Sequence, residues 1–407
     1  MAATAAASPA PGTVEVRDQA GGLITTTSGA DAVHDALAVV ATQRLGDATP
    51  WAVFAGAGTY GDFAVSVRNV TVAADPAGSV TISGAGTTDV TSGRCVNITR
   101  GNVTLTGFTC ATTTKGSGVN VSLPNSEGGV VVSGMSIDAP AADGVTVTGG
   151  TGIVLSDIKV TSPKRSGFRL SQLTAQGPYA ITGGSVAGAA ANGLHLVTDV
   201  TKLQVTGLSI SGSKGAGVLG NDSGNSDDTF QGVRVSGSSG DGFSLGGGAL
   251  RVAIRDSVAT GNTGAGIRLA DGTGFAVSGV TLDGTNQGGD LLFTADDRTG
   301  GTYTGLQAGG GFSVVGEPYA VRLSQATQGV PASAGGRNRS GAGLAIAATA
   351  STARRRLVVR WDARGTVYRG AGKWSAVKTS RRIKGGAQAL LGTSYLGTSA
   401  ALYAPFG

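Results

Sequence analysis

The chain has 407 residues, of which 71 are Gly, while aromatic residues make up only 5% and charged residues 14%. Gly has no three-residue period, which excludes a collagen; the 40% apolar content disfavours disorder, and frequent Gly, Val and Thr exclude a bundle of long helices. The net charge of +6 comes from the C-terminal end, because residues 351–407 hold 11 Lys and Arg against the single acid Asp362.

The first predicted element is a short amphipathic helix. It follows residues 1–24, expected to be a flexible N-terminal segment, in which Met1–Pro11 has neither the basic nor the apolar region of an export signal. Asp31 is the expected N-cap. The apolar face consists of Val33, Ala36, Leu37 and Val40. We expect this helix to cover the unpaired strand edges at the start of the fold.

A repeat of 23–26 residues organises the chain from Cys95 to Asp290. Each copy opens on an anchor residue followed by an apolar, a variable and another apolar residue, which is the pattern of a strand with one buried face. The anchors are Cys95, Gly118, Gly144, Gly167, Gly193, Gly217, Gly242, Gly266 and Asp290. Two further short apolar strands follow in each copy, so one repeat predicts three strands and three turns.

Three short strands cannot bury their apolar sides within one repeat, but stacked repeats can. The sequence therefore predicts an all-β fold, a right-handed parallel β-helix over residues 25–295, in which equivalent strands lie ~4.8 Å apart. Anchor glycines are expected at corners that require a positive φ or a close approach of backbones.

Two segments follow the predicted β-helix. Residues 296–350 keep the Gly, Ser and Ala composition without the period, which predicts irregular terminal coils or a linker. Residues 351–407 form a basic C-terminal β segment, either a cap or a small module, and alternation in residues 357–370 predicts a hairpin. Its cations and aromatic residues suit an anionic glycan, or else they form the cationic exterior of a folded cap. No nucleic-acid recognition motif accompanies them, so nucleic acid is not the expected partner.

The two cysteines leave two interpretations open. Cys95 and Cys110 lie within one repeat, and Cys110 falls in an apolar, inward column. They form a disulfide if the protein resides in an oxidising compartment, or else they are two buried free thiols.

The helix, the turn Gly56-Ala57-Gly58-Thr59-Tyr60, the entry strands after it and the coils with Asp-Gly-Val or Ser-Gly-Phe together resemble the pectin-lyase-like superfamily. The resemblance covers roughly residues 25–295. It implies a right-handed β-helix scaffold, on which lyases, hydrolases, epimerases, esterases, phage tailspikes and adhesins are all built, so function does not follow from the fold.

A column of outward residues is the candidate functional surface. The second residue after each anchor points outward, so Arg169 and His195 should be neighbours ~4.8 Å apart. The column is Asn97, Asn120, Thr146, Arg169, His195, Leu219, Ser244, Arg268 and Leu291. Lys164, Arg165 and Lys214 lie in turns that enter anchor strands. This basic strip suits a polymer bearing carboxylates or sulfates; the alternative is a set of solubilising charges.

The resemblance implies roles for these residues. β-Elimination on a uronate needs a group that neutralises the carboxylate, a base for the C5 proton and assistance to the leaving oxygen. In related lyases a cation or Ca²⁺ meets the carboxylate, and Arg, Lys or His is the base. The candidate catalytic residues are Arg169, His195 and Lys164, and the candidate substrate-binding residues are Arg165, Lys214, Arg268 and Asn120.

The sequence also departs from the known branches of that superfamily. The Gly-His-Gly motif of polygalacturonase-like hydrolases, the pectate-lyase Arg-x-Pro-x-x-Arg motif and the Asp-Pro-His-Asp signature of alginate epimerases are missing. The chain has only Glu15, Glu127 and Glu317 as glutamates, which argues against a paired Glu acid and base. An enzyme with this sequence would belong to an unusual branch.

The polar turn at residues 220–228 is a candidate Ca²⁺ site. Asp222, Asp227 and Asp228 supply three carboxylates, although their spacing does not match an EF-hand. A solvated turn rich in Asp, Asn, Ser and Gly is the competing interpretation.

These observations favour a secreted or cell-surface protein that acts on or binds an acidic polysaccharide, with β-elimination as the candidate reaction. The alternative is a non-catalytic adhesin, structural protein or tail-fibre-like protein. The two hypotheses differ in whether products are released.

Overall fold

The computed structural model describes residues 8–43, 49–83, 93–113, 115–174, 178–221, 223–270, 272–282 and 285–288, and beyond residue 290 it describes only strands. The chain divides into two compact units, residues 1–195 (unit 1) and residues 196–407 (unit 2). This boundary lies inside the predicted β-helix region rather than at one of its ends. None of the described helices is long and apolar enough to span a membrane.

In the described part of unit 1 there is one helix, Ala32–Gln43, and the strands form three sheets, named A, B and C. Sheet A contains Leu23–Ser28, Thr13–Arg17, Trp51–Ala55, Val70–Ala74, Val103–Thr106, Val131–Ser133, Val154–Ser156 and Tyr179–Thr182. Sheet B contains Gly58–Tyr60, Val80–Ser83, Phe108–Thr112, Ser136–Asp138, Lys159–Thr161 and Ser185–Ala187. Sheet C contains Phe63–Val65, Val96–Ile98, Val119–Ser122, Val145–Thr148, Phe168–Ser171 and Leu194–Leu196, whose last residue lies beyond the boundary.

Unit 2 repeats this arrangement. Its sheet A contains Leu203–Thr206, Thr229–Gln231, Ala253–Arg255 and Thr273–Ser278; sheet B contains Ser209–Ser211, Arg234–Ser236, Val258–Thr260 and Thr281–Leu282; sheet C contains Val218–Gly220, Phe243–Leu245, Ile267–Ala270 and Leu291–Ala295. The later strands are Gly300–Thr304, Gln307–Ala308, Phe312–Gly316, Ala320–Ser324, Pro331–Ala334, Arg337–Thr349, Arg356–Trp361, Thr366–Ala371, Arg381–Arg382, Gln388–Leu391 and Ser399–Pro405.

The chain passes through sheets C, A and B in turn, and equivalent strands of successive coils pair in parallel, which confirms the predicted β-helix. Val145 pairs with Phe168 and Thr146 with Arg169, in the register that the anchors predict. Side chains alternate along each strand, so the apolar residues fill the interior and the variable residue faces outward. One predicted member of the outward column was wrong by one residue, because Arg268 pairs with Leu292 rather than with Leu291.

Anchor glycines are required for close packing. A Cβ on Gly144 would lie 2.5 Å from the carbonyl oxygen of Gly167 and 2.5 Å from Val160 Cγ1. The positive φ angles occur instead at the other corners, where Asn102 (53°) and Asp157 (51°) adopt the left-handed conformation alongside glycines such as Gly134 (59°). Of the two reasons expected for the anchors, close approach is the one that applies at Gly144.

The helix begins directly after Asp31 and buries Val33, Ala36, Leu37 and Val40, as the sequence predicts. It packs against the first strands of sheet A and against Phe63–Val65 of sheet C. The expected flexibility of residues 1–24 is wrong for Thr13–Arg17, because this strand pairs antiparallel with Trp51–Ala55 and buries Val14 and Val16. Ordered structure therefore begins before residue 25.

Cys95 and Cys110 form a disulfide, which settles the question that the sequence left open. Both residues are buried in unit 1, and Cys110 pairs in register with Ile82 and Ile137. Near the C-terminus, Arg356–Trp361 and Thr366–Ala371 pair antiparallel, with Leu357 opposite Gly370, as the alternation there predicts.

Candidate functional site

The outer face of sheet C in unit 1 carries one continuous column of polar residues. Register places Asn97 beside Asn120, Asn120 beside Thr146 and Thr146 beside Arg169. The amide of Phe168 donates to the carbonyl oxygen of Gly193 (2.9 Å), as that of Val145 does to Gly167 one coil earlier. This equivalent bond places His195 beside Arg169, in the register that the anchor spacing predicts.

Arg169 is the cation of this column that has no partner. Its side chain is half-buried, and its Nε atom is buried without a hydrogen bond. Among the described residues no carboxylate forms an ion pair with its guanidinium. A buried donor that makes no hydrogen bond is costly, about 1–3 kcal/mol. Arg169 is thus suited to receive a carboxylate or sulfate from outside the protein.

Lys164 and Arg165 lie in the turn that leads into the Arg169 strand, and both are exposed. The guanidinium of Arg165 lies 3.8 Å from a carboxylate oxygen of Asp143, which is buried in the preceding coil. Asp143 also accepts a hydrogen bond from the backbone amide of Ser166 (2.9 Å). The carboxylate therefore holds this turn against its neighbour, and Lys164 lies at the edge of the sheet rather than on its face.

The candidate binding residues of unit 2 have a different setting. Lys214 is exposed in the turn before Val218–Gly220. Arg268 Nε lies 2.7 Å from a carboxylate oxygen of Asp241, whose other oxygen accepts from the amide of Ala265 (2.8 Å). Because an internal carboxylate neutralises Arg268, this residue is a weaker anion site than Arg169. The hydrogen bonds of Asp143 and Asp241 show that both residues stabilise turns.

Two of the three aspartates of the proposed calcium site are among the described residues, and their settings differ. Asp222 lies outside the described residues. Asp227 forms a bidentate ion pair with Arg251 at 2.6 and 2.7 Å, whereas Asp228 is 1% exposed and faces the interior. Among the described residues no group of three or more His, Cys, Asp or Glu could hold a metal ion. Asp227 and Asp228 as placed do not fit Ca²⁺, and no calcium step enters the proposed function.

Asp228 is a buried acid whose environment changes its ionisation. One oxygen accepts from the amide of Leu203 (2.9 Å), and the other has no partner. Burial raises the pKa of Asp228 to about 8, against the opposing effect of the Leu203 hydrogen bond; the negative charge of Asp227 raises it further. For Asp227, the hydrogen bond from Arg251 lowers the carboxyl pKa. At neutral pH Asp227 is therefore ionised, whereas its neighbour Asp228 is mostly protonated and uncharged.

Sequence reasoning missed a second basic cluster, formed by Arg68, Arg100 and Glu127 in unit 1. Arg68 and Arg100 donate to one oxygen of Glu127, at 2.7 and 3.2 Å, and the amide of Gly101 donates to the other at 2.7 Å. The hydrogen bond from Arg68, aided by Gly101 and by both positive charges, lowers the pKa of Glu127 despite its burial. The repeat spacing brings these residues together in the turns that leave sheet C, and aligning the coils would have found them.

Comparison with solved structures identifies the fold. The chain is similar to the A-module of Azotobacter vinelandii mannuronan C-5 epimerase AlgE6, with a TM-score of 0.54 and 13% identity over 74% of this chain and 86% of that chain. The A-module of Azotobacter vinelandii AlgE4 has a TM-score of 0.48 and 13% identity over 75% of this chain and 96% of that chain. The Dettilon tailspike protein has a TM-score of 0.47 and 12% identity over 94% of this chain and 87% of that chain. No protein-family model matches the sequence, and no curated protein is significantly similar to it.

These findings define the class of protein. The chain has the pectin-lyase-like, right-handed parallel β-helix fold, as its sequence resemblance implies. At 13% identity the similarity establishes the fold alone, so the function has to be argued from the site.

Proposed function

We propose that the protein binds an acidic polysaccharide on the outer face of sheet C in unit 1, with Arg169 as the residue that meets a carboxylate. The observation that carries this proposal is the half-buried side chain of Arg169 on the outer face of the sheet, whose guanidinium forms no ion pair with any described carboxylate, whereas Arg268 is paired with Asp241. Lys164 and Arg165 at the edge of the sheet add positive potential that attracts a polyanion. Mannuronan, named for the AlgE6 and AlgE4 neighbours, is a polyuronate and is of the proposed ligand class.

The finer proposal is β-elimination on a uronate. Arg169 neutralises the carboxylate, His195 on the next strand accepts the C5 proton, and Lys164 donates a proton to the leaving oxygen at C4. The C5–H electron pair forms the C4–C5 double bond as the C4–O bond breaks, so the reaction needs no oxidant or added water. The adjacency of Arg169 and His195 supports this assignment.

The proposed setting is secreted or cell-surface. The Cys95–Cys110 disulfide supports it, because disulfides persist in oxidising compartments. An acidic glycan outside the cell is the corresponding partner.

The test measures binding and product release with a panel of uronate polymers, using retardation in affinity electrophoresis and near-ultraviolet absorbance of unsaturated products. Arg169→Ala should weaken binding about tenfold or more, as expected for a charge-assisted contact. Arg234→Ala is the matched control, because Arg234 is exposed on sheet B of unit 2.

If His195→Ala abolishes product release while polymer binding persists, the lyase assignment is supported. Binding without product from the unaltered protein would assign it to the non-catalytic class. If the unaltered protein neither binds any of the polymers nor releases product from them, the proposed function is overturned.

A further inference from the structure

The outer column of unit 1 has two chemically different parts. Asn97, Asn120 and Thr146 are uncharged, whereas Arg169 and His195 carry the basic character. Each step along the column is one strand spacing of ~4.8 Å, which is close to the length of one sugar residue in an extended polysaccharide. A polymer lying along the column would therefore place successive sugars beside different chemical groups.

The uncharged part has hydrogen-bonding groups to spare. Asn120 Nδ2 donates to Asn97 Oδ1 at 2.8 Å, which fixes both half-buried amides. This bond leaves the Nδ2 donor of Asn97 and the Oδ1 acceptor of Asn120 without partners among the described residues. Thr146 Oγ1 lies 2.7 Å from Ser117 Oγ. A donor and an acceptor held side by side suit sugar hydroxyls, which donate and accept.

A carboxylate beside Asn97 and Asn120 would bind less well than a sugar hydroxyl. Asn120 Oδ1 is an acceptor and repels a carboxylate oxygen, and the column carries no cation between Asn97 and Thr146. The nearby cations lie in turns and not on the sheet face: Arg94 and Lys115 in the turns that enter these strands, and Arg68 and Arg100, which share Glu127, in the turns that leave sheet C. A polymer with a carboxylate on each sugar would bring negative charge to the amides.

We propose that the preferred ligand is a heteropolysaccharide in which uronates are separated by neutral sugars, with a uronate at Arg169 and neutral sugars at Asn120 and Asn97. This inference rests on the proposed function, because it requires that an acidic polysaccharide occupies sheet C. It makes Asn97 and Asn120 specificity-determining residues for the neutral part of the ligand.

The experiment compares dissociation constants for two oligosaccharides of equal length at one ionic strength: a mixed ligand, in which one terminal glucuronate is followed only by neutral hexoses, and a galacturonate homopolymer. The unaltered protein should bind the mixed ligand more tightly, because its neutral sugars lie beside Thr146, Asn120 and Asn97 when the uronate lies beside Arg169. Asn120→Ala should raise the dissociation constant of the mixed ligand about fivefold. It should change the dissociation constant of the homopolymer by less than about twofold, because only a contact to a neutral sugar is lost. Asn120→Lys should instead lower the dissociation constant of the homopolymer, since it adds a cation to the column.

Ser156→Ala, on the outer face of sheet A, is the control variant and should change neither dissociation constant. Circular dichroism checks that every variant is folded. Equal or tighter binding of the homopolymer, or equal effects of Asn120→Ala on both ligands, would overturn this inference while the proposed function stands. No binding of either oligosaccharide, together with no binding of longer acidic polymers, would overturn both.

Discussion

Asp143 of one coil is hydrogen-bonded to Ser166 of the next: Asp143 Oδ1 accepts a hydrogen bond from the backbone amide of Ser166 at 2.9 Å. Asp241 forms the same bond to Ala265 in unit 2, at 2.8 Å. Both carboxylates precede an anchor glycine and are almost fully buried. The bond therefore adds a side-chain tie beside the backbone hydrogen bond from the Gly144 amide to the Ser166 carbonyl oxygen (2.9 Å), which joins the same two turns.

Asp143→Ala should destabilise unit 1 by about 1–3 kcal/mol, because the Ser166 amide loses its acceptor in a buried site. Asp143→Asn retains an oxygen acceptor and should destabilise it less. Urea denaturation followed by circular dichroism measures both changes. A midpoint for Asp143→Ala equal to that of the unaltered protein would show that the bond has no role in stability.

Asp228→Asn should stabilise the protein at pH 8 and above. The folded pKa of Asp228, about 8, exceeds the ordinary value of 3.8, so the folded state binds the proton more tightly. The stability that this adds is complete below pH ~4 and is lost as the pH rises through about 8. Asn keeps an acceptor for Leu203 without any ionisation, so this part of the pH dependence disappears.

Thermal melting at pH 5 and pH 9 measures the effect. Asp227→Asn is the neighbouring control, with the opposite sign: the pKa of Asp227 is lowered by Arg251, so its contribution is present above its ordinary pKa and is lost as the pH falls. A pH dependence for Asp228→Asn identical to that of the unaltered protein would contradict the burial of an ionisable carboxyl group.

Gly144→Ala should destabilise the β-helix by about 1–3 kcal/mol or more, because the added Cβ would overlap the Gly167 carbonyl and Val160. Gly134→Asn is the matched control. Gly134 has a φ of 59° and no atom within 3.6 Å of a built Cβ, and Asn tolerates this conformation. Gly144→Ala should have a lower denaturation midpoint than Gly134→Asn. Equal decreases in the midpoint would mean that close packing at the anchor glycine does not limit stability.

Reduction of the Cys95–Cys110 disulfide should lower stability by about 3 kcal/mol, the value expected for a closed loop of about 15 residues. Melting with and without a reductant measures this change. The Cys95→Ala/Cys110→Ala double variant should melt at the lower temperature under both conditions. A reductant effect that persists in the double variant would have to arise elsewhere.

Much of the fold could be predicted because burial imposes a strict alternation on each strand. The anchors and the apolar residues that follow them gave three strands per coil and the Thr146–Arg169 register. The conformations at the corners could not be read in this way. Asn102 and Asp157 occupy left-handed positions without any glycine to signal them, because short polar side chains tolerate that conformation.

The site was predicted less completely, because charge partners depend on side-chain direction as well as on register. Spacing alone made Arg169 and Arg268 equivalent, yet only Arg268 has an internal carboxylate, Asp241. Asp227 and Asp228 looked alike in sequence. Register pairs Gln204 with Thr229, which puts Asp228 level with the buried Leu203, and aligning the coils would have shown its inward position.

The in-register stacking of unit 1 makes its length adjustable in whole increments. Val119 pairs with Val96 on one side and with Val145 on the other, so removing residues 119–144 joins Gly118 to Val145 and lets Val145 take the place of Val119. Such a deletion shortens the outer face of sheet C by a single strand and leaves the remaining strands aligned. Duplication of a coil would lengthen it by the same amount, so the number of repeats would set how many sugars the proposed binding surface spans.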